Sequence, residues 1–319
     1  MLFELPKDFT ETLANKYESA VADNSVVFSD KVTNELVNNT IGEGETSTKV
    51  DFQLTILQSL QHRPTGTVDK NPFENPEPEL TVVEKYGPDD EFRIVFNKFP
   101  VVPRHFMIVT REFKSQNTPL SLNELVGAYT LLARLRKDDS DHDWMAFYNC
   151  GPESGASQPH KHIQFMTIPD SFAPFASQLA DTTEAFLPND KEEPLVNTDI
   201  PFAHFVARLP DSSEDLLSDP EDLTMYFVSL LQRVLTVLKE NEASHVSYNF
   251  IMTTKYMMLV PRSHAKYEDL GINSCGYAGL ILCKNEELHS LVTKVSPVAI
   301  LEACGFPNTK KDHSDEYKY

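Results

Sequence analysis

The sequence predicts an α+β fold, and three patterns carry that reading. At residues 160–165, His160, His162 and Gln164 stand two apart, with Ile163 and Phe165 at the alternate positions, the period of a half-buried strand. Residues 123–136 place Leu125, Ala128, Leu132 and Leu135 near helical spacing, with Leu122 just ahead, and a second helical stretch runs over 222–239. Short apolar runs outnumber these helices, an order that suits a sheet with a few helices packed on it.

In chain order, residues 9–24 read as a helix of mixed charged and apolar positions, and 38–49 as a polar loop. Phe52 to Leu60 reads as a strand or a short helix leading into Gln61-His62-Arg63-Pro64. Asn71 to Pro78 carries Pro72, Pro76 and Pro78 between asparagines and is a loop. Strands over 80–85 and 92–97 flank a Gly87-Pro88-Asp89-Asp90 turn. Further strands run over 101–110 and 144–148, the latter feeding a loop at Asn149. Val101-Val102-Pro103-Arg104-His105 is echoed by Leu259-Val260-Pro261-Arg262-Ser263-His264, with Asn97 and Asn249 upstream. The echo admits two related halves, 1–190 and 191–319, inside one catalytic unit, although chance explains it nearly as well.

The 319-residue chain is 40% hydrophobic, ample for a buried core, and carries a net charge of -20 with a pI near 4.8. That balance argues against nucleic acid or an anionic membrane as partner. An anionic substrate would need local positive charge, for which Arg63, Lys98, Arg104, Lys161, Arg262, Lys266 and Lys284 are candidates. The acidic stretches 138–141 and 211–222 read as solvated loops. Four cysteines without a Cys-x-x-Cys pair suit a reducing compartment. No secretory leader is evident at the start, and no apolar run approaches the ~18 residues of a membrane span. A soluble cytoplasmic protein is expected, nuclear entry left open.

The strand at 160–165 is where chemistry concentrates. Side chains two apart on a strand share a face at roughly 6–7 Å, so His160, His162 and Gln164 would line one polar face. Ahead of them runs Cys150-Gly151-Pro152-Glu153-Ser154-Gly155-Ala156-Ser157, a loop of small residues whose backbone N–H groups can approach an anion. A histidine beside an anion cradle suggests attack on phosphorus. The competing readings are a metal pair, since imidazole suits zinc or copper, and two ordinary polar residues. His105, His204 and His264 are scattered, so no metal site is expected.

Phe96 to His105, Phe147 to Pro152 and Gly155 to Gln164 together resemble the histidine-triad superfamily, and Gln164 in place of a third histidine points to its transferase branch. With Val260 to Lys266, Asn273 to Tyr277 and Cys304 to Thr309, the chain resembles the fungal diadenosine tetraphosphate phosphorylases from about Asn71 onward. The resemblance implies a histidine-triad-like antiparallel sheet and cleavage of diadenosine tetraphosphate by phosphate to ATP and ADP through an adenylyl-histidine. It implies His162 as nucleophile, with Gln164 and His160 assisting. Asn97, Lys98, Asn149, Gly155, Ala156, Ser157 and Gln158 would hold nucleotide and phosphates. Arg63, Asn273, Ser274, Cys275, Leu280 and Lys284 would complete the groove. Arg63 stands where lysine is usual, Cys275 near an expected threonine and Leu280 near an expected methionine. No tightly bound cofactor is implied, a divalent cation such as Mg2+ travelling with the polyphosphate. The partners expected are dinucleoside polyphosphate and phosphate, with sulfate as an alternative acceptor alongside ADP, acting on a monomer. A hexose-1-phosphate uridylyltransferase and a non-catalytic nucleotide sensor are the alternatives. The former often carries structural zinc ligands, and the latter would most readily lose His162.

Overall fold

A computed structural model describes residues 3–28, 32–41, 48–57, 71–189 and 191–309. Arg63 and the Gln61–Pro64 segment around it lie outside the described residues. Helix α1 (Phe9–Ala22) precedes strands β1 (Val32–Ile41), β2 (Thr48–Leu57), β3 (Thr81–Tyr86), β4 (Phe92–Phe96) and β5 (Phe106–Thr110). Next come α2 (Leu122–Asp138), β6 (Asp143–Cys150), β7 (His162–Ile168), α3 (Phe175–Ala180), β8 (Phe205–Arg208), α4 (Ser213–Ser218) and α5 (Glu221–Glu240). The rest comprises β9 (Tyr248–Met252), β10 (Tyr256–Pro261), β11 (Lys266–Tyr267), β12 (Leu270–Gly271), α6 (Ser274–Tyr277), β13 (Leu280–Cys283), α7 (Glu286–Val295) and α8 (Pro297–Cys304).

Eight of these strands pair antiparallel in the order β3-β4-β5-β7-β6-β9-β10-β8. One face packs on α1, α2 and α5 through Leu13, Leu125, Leu132 and Leu230. The other packs on α6, α8 and a small sheet, β1-β2-β13, through Phe147, Ile251, Ile281 and Leu301. Covering both faces explains why β5, β9 and β10 are buried throughout rather than alternating. Among the described residues no helix is long and apolar enough to cross a membrane.

Local chemistry sets the elements that frame β7. Helix α2 starts on a capping box, with Ser121 Oγ accepting from Glu124 N and Glu124 Oε2 accepting from Ser121 N at 2.7 Å. Glu124 also pairs at 2.8 Å with Lys161, so the first turn of α2 is tied to the start of β7. Strand β7 lies between β5 and β6, with His162 opposite Val109 and Gln164 opposite Met107 and Phe147.

Several expectations need correction. Residues 38–41 and 48–49, read as loop, belong to the β1–β2 ladder. Strand β1 is mostly exposed, so its pairing comes from backbone hydrogen bonds that leave no apolar period to read. The strand expected over 101–110 starts only at Phe106, because Arg104 takes a left-handed backbone (φ 57°) and turns the chain. Its counterpart in the sequence echo, Leu259 to Pro261, closes the regular strand β10, so the two segments have different settings. His160 precedes β7 and makes only an isolated bridge to Ser115. Asp139 is an anchor rather than a solvated charge, bonded to Arg104, His142 and Trp144.

Candidate active site

His162 is held at its backbone and its ring. Its N–H donates to Gln116 Oε1 at 2.8 Å, and Gln116 Nε2 donates to Asn149 O at 2.9 Å and to His162 O at 3.3 Å. The ring Nδ1 lies 2.8 Å from the His160 carbonyl oxygen. A carbonyl only accepts, so Nδ1 carries the proton and the in-plane lone pair sits on Nε2. His160 itself is buried, with Nε2 on Thr110 O at 2.7 Å and Nδ1 receiving Asn71 Nδ2 at 2.8 Å. Burial pushes the His160 imidazole below its usual pKa of 6.5, outweighing its backbone hydrogen bonds. This fully bonded ring fixes the stretch of chain whose carbonyl holds the His162 ring. Phe73 packs against both rings, at 5.8 Å from His160 and 5.1 Å from His162. With Val95, Met107 and Val109 it forms a small apolar cluster apart from the two main cores.

Gln164 reaches a cavity of about 330 Å³ that Asn97, His105, Phe147, Ser157, Asn273 and Lys284 also line. His105 fixes its amide. Val101 N donates to His105 Nδ1 at 3.4 Å, so Nε2 bears the proton and donates to Gln164 Oε1 at 3.1 Å. The Gln164 NH2 is then the end available to a ligand oxygen. His105 was only one of the scattered histidines in the sequence. Its role follows from β5 lying beside β7, which only the strand order reveals. Gln116 and Asn71 escaped for the same reason, being polar loop residues whose value lies in what they face.

The loop ahead of β7 brings Gly155, Ala156 and Ser157 to the cavity. Gly155 has φ +77°, and a Cβ there would stand 2.3 Å from Ile272 O, so only glycine lets the two walls meet. Asn273 and Cys275 line the facing wall, where Asn273 Oδ1 accepts Cys275 N at 2.9 Å. Asn149 and Ser274 lie behind this surface. Asn149 Oδ1 accepts from Ser274 N at 3.0 Å, Ser274 Oγ at 2.7 Å and Asn249 Nδ2 at 2.8 Å. Leu280 faces a neighbouring cavity of about 240 Å³ that shares Val101 and Leu282 with the first. Gln158 is half-buried and not among the residues lining either cavity. Lys98 pairs with Glu77 at 2.6 Å in solvent, and Lys161 turns to the opposite side, donating to Pro119 O at 2.7 Å. Among the described residues no cluster of three or more His, Cys, Asp or Glu could hold a metal ion.

Comparison with known proteins gives this geometry a lineage. Residues 39–180 match the family model of the Ap4A phosphorylase N-terminal domain, and residues 198–307 that of the ATP adenylyltransferase C-terminal domain. Diadenosine 5',5'''-P1,P4-tetraphosphate phosphorylase 2 of Saccharomyces cerevisiae is 41% identical over 291 residues, covering 85% of this chain and 89% of that protein. The chain belongs to the Ap4A phosphorylase family. Protein APA1 of the same yeast is a further family relative, 36% identical over 328 residues and 99% of each chain. The solved structure of yeast Ap4A phosphorylase Apa2 matches with a TM-score of 0.82 at 36% identity, covering 99% of this chain and 100% of that one. The same protein in complex with Ap4A matches at 0.81, covering 96% of this chain and 100% of that one. The family expected from the motifs therefore holds, and so does its mixed sheet-and-helix fold.

Proposed function

We infer that this chain is a nucleotidyltransferase that cleaves diadenosine tetraphosphate with inorganic phosphate, giving ATP and ADP. Family membership and the match to a relative crystallised with Ap4A support the reaction. The observation that carries the mechanism is the His162 Nδ1 contact with the His160 carbonyl, which puts the lone pair on Nε2. Nε2 attacks the α-phosphorus, an N–P bond forms, and the P–O bond to the bridging oxygen breaks. ATP leaves with that oxygen, and the proton stays on Nδ1, donated to the His160 carbonyl oxygen. A phosphate oxygen then attacks the adenylyl phosphorus, the N–P bond breaks, and ADP departs as the electron pair returns to Nε2. Two easier displacements replace one hard one. ATP is a stabilised leaving group, so a glutamine suffices where a hydrolase would place an acid. The Gln164 NH2 donates to a non-bridging oxygen as charge gathers there.

The adenine would pack against the small cluster of Phe73, Val95 and Met107, with Asn97 just past the end of β4. The second nucleotide extends past Asn273 toward Lys284. A divalent cation arrives on the phosphates as part of the substrate. Sulfate, a tetrahedral dianion like phosphate, is proposed as an alternative acceptor: His162 would take the adenylyl group from ADP, release phosphate and pass the group to sulfate. The charge balance and the buried thiols support a cytoplasmic monomer.

Mixing the protein with diadenosine tetraphosphate in the absence of phosphate tests the intermediate. An acid-labile adenylyl adduct should appear by intact mass and map to the peptide holding His160–Gln164. His162→Ala should lose more than ~1000-fold in turnover yet still bind substrate. Near-normal turnover in that variant sinks the mechanism.

A further inference from the structure

Among the described residues Arg262 is the largest fully buried side chain, at 1% exposure. Nε donates to Cys304 O at 3.1 Å, Nη1 to Ser154 O at 3.2 Å and to Asn249 Oδ1, and Nη2 to His264 O at 2.6 Å and Ile272 O at 3.0 Å. The guanidinium lies over the Tyr277 ring at 4.9 Å. Every acceptor is a neutral oxygen. A buried cation is costly unless its donors are satisfied, and a planar fork can satisfy five where an ammonium offers three.

Two of these acceptors adjoin different walls of the cavity. Ser154 heads the Gly155–Ser157 loop on the side of β7, while Ile272 adjoins Asn273 on the facing wall and lines the cavity with it. The same joint carries Asn249 Nδ2 to Ser154 O at 2.9 Å and Ala265 N to Glu153 Oε2 at 3.1 Å.

We propose that Arg262 is a positioning residue for phosphorolysis. Its fork sets the separation between the loop that cradles the adenylyl phosphate and the wall that receives the leaving nucleotide. It thereby sets the polyphosphate length that spans the cavity. The inference rests on the dinucleotide reading of that cavity. Since neutral oxygens alone accept from it, its charge also adds positive potential behind the loop.

Arg262→Lys keeps the charge and removes the fork. Amide hydrogen exchange over 151–155 and 264–275 should accelerate at least tenfold, with β4 and β5 unchanged. KM for diadenosine tetraphosphate should rise at least tenfold, with kcat within threefold of the parent. Unchanged exchange in the two segments, or acceleration spread evenly over the sheet, overturns the proposal whatever the substrate. A smaller KM change despite faster local exchange overturns it too, because the joint would not govern fit. A parent protein that fails to cleave the dinucleotide sinks the functional reading alone, and the exchange readout still decides whether Arg262 holds the two walls. If Arg262→Lys does not fold, Asn249→Ser loosens the same joint. At least threefold faster exchange over 151–155 is then expected, and none overturns the proposal.

Discussion

His105 donates to one end of the Gln164 amide and thereby chooses which end meets substrate. Removing that amide takes away a donor aimed at developing charge, a contribution of about 3 kcal/mol in comparable sites. Gln164→Ala should therefore lose roughly 100–1000-fold in kcat with little change in substrate affinity, measured by steady-state kinetics and calorimetry. His160 supplies a pH signature. Burial holds its pKa below 6.5, so as pH falls the unfolded chain takes up this proton before the folded one does. Its contribution to stability is complete above that value and is lost as pH drops below it. Melting temperature followed from pH 7 to 5 should fall less steeply in His160→Asn than in the parent, and parallel curves would rule out this histidine as the cause.

At the scale of elements, the tie between α2 and β7 is the one most open to challenge. Glu124 caps its own helix and neutralises Lys161, with both side chains almost wholly buried. Glu124→Ala strands an ammonium in the core and should cost about 3–5 kcal/mol in denaturant unfolding. Replacing both residues by methionine should recover much of that loss. Elements with an apolar period or a cap, such as α1, α2, α5, β4 and β6, were legible in the sequence to within a few residues. Strand β1 was not, because an exposed ladder leaves no hydrophobic trace. The site divides the same way. His162, Gln164, Ser157 and Lys284 stood out by motif or resemblance. His105, Gln116 and Asn71 act through strand order and loop placement, which no local spacing encodes. Asn149 and Ser274 carried the right motif but serve as the joinery behind the wall.

For the molecule as a whole, a net charge of -20 must be offset where phosphates bind. Lys284 lines the same cavity as Asn273 and Cys275, where the second nucleotide is proposed to lie. Lys284→Ala should weaken diadenosine tetraphosphate by about tenfold and ADP by much less, since only the longer ligand reaches it. Calorimetry on both ligands decides this, and equal losses would move the lysine into the adenylate half.

The four thiols are all buried, each in a different element: at the end of β6, in α6 at the cavity wall, in β13 and at the end of α8. Burial pushes Cys150 and Cys283 up to about 11, so neither is a reactive thiolate at neutral pH. Alkylation of the native protein should therefore be slow, each cysteine becoming labelled as its own surroundings open. Cys275 alone among them lines the cavity that Gln164 reaches, so slower labelling in the presence of diadenosine tetraphosphate would place the ligand there. The other three report the opening of the sheet and its helical cover, giving the unmodified chain four separate chemical clocks.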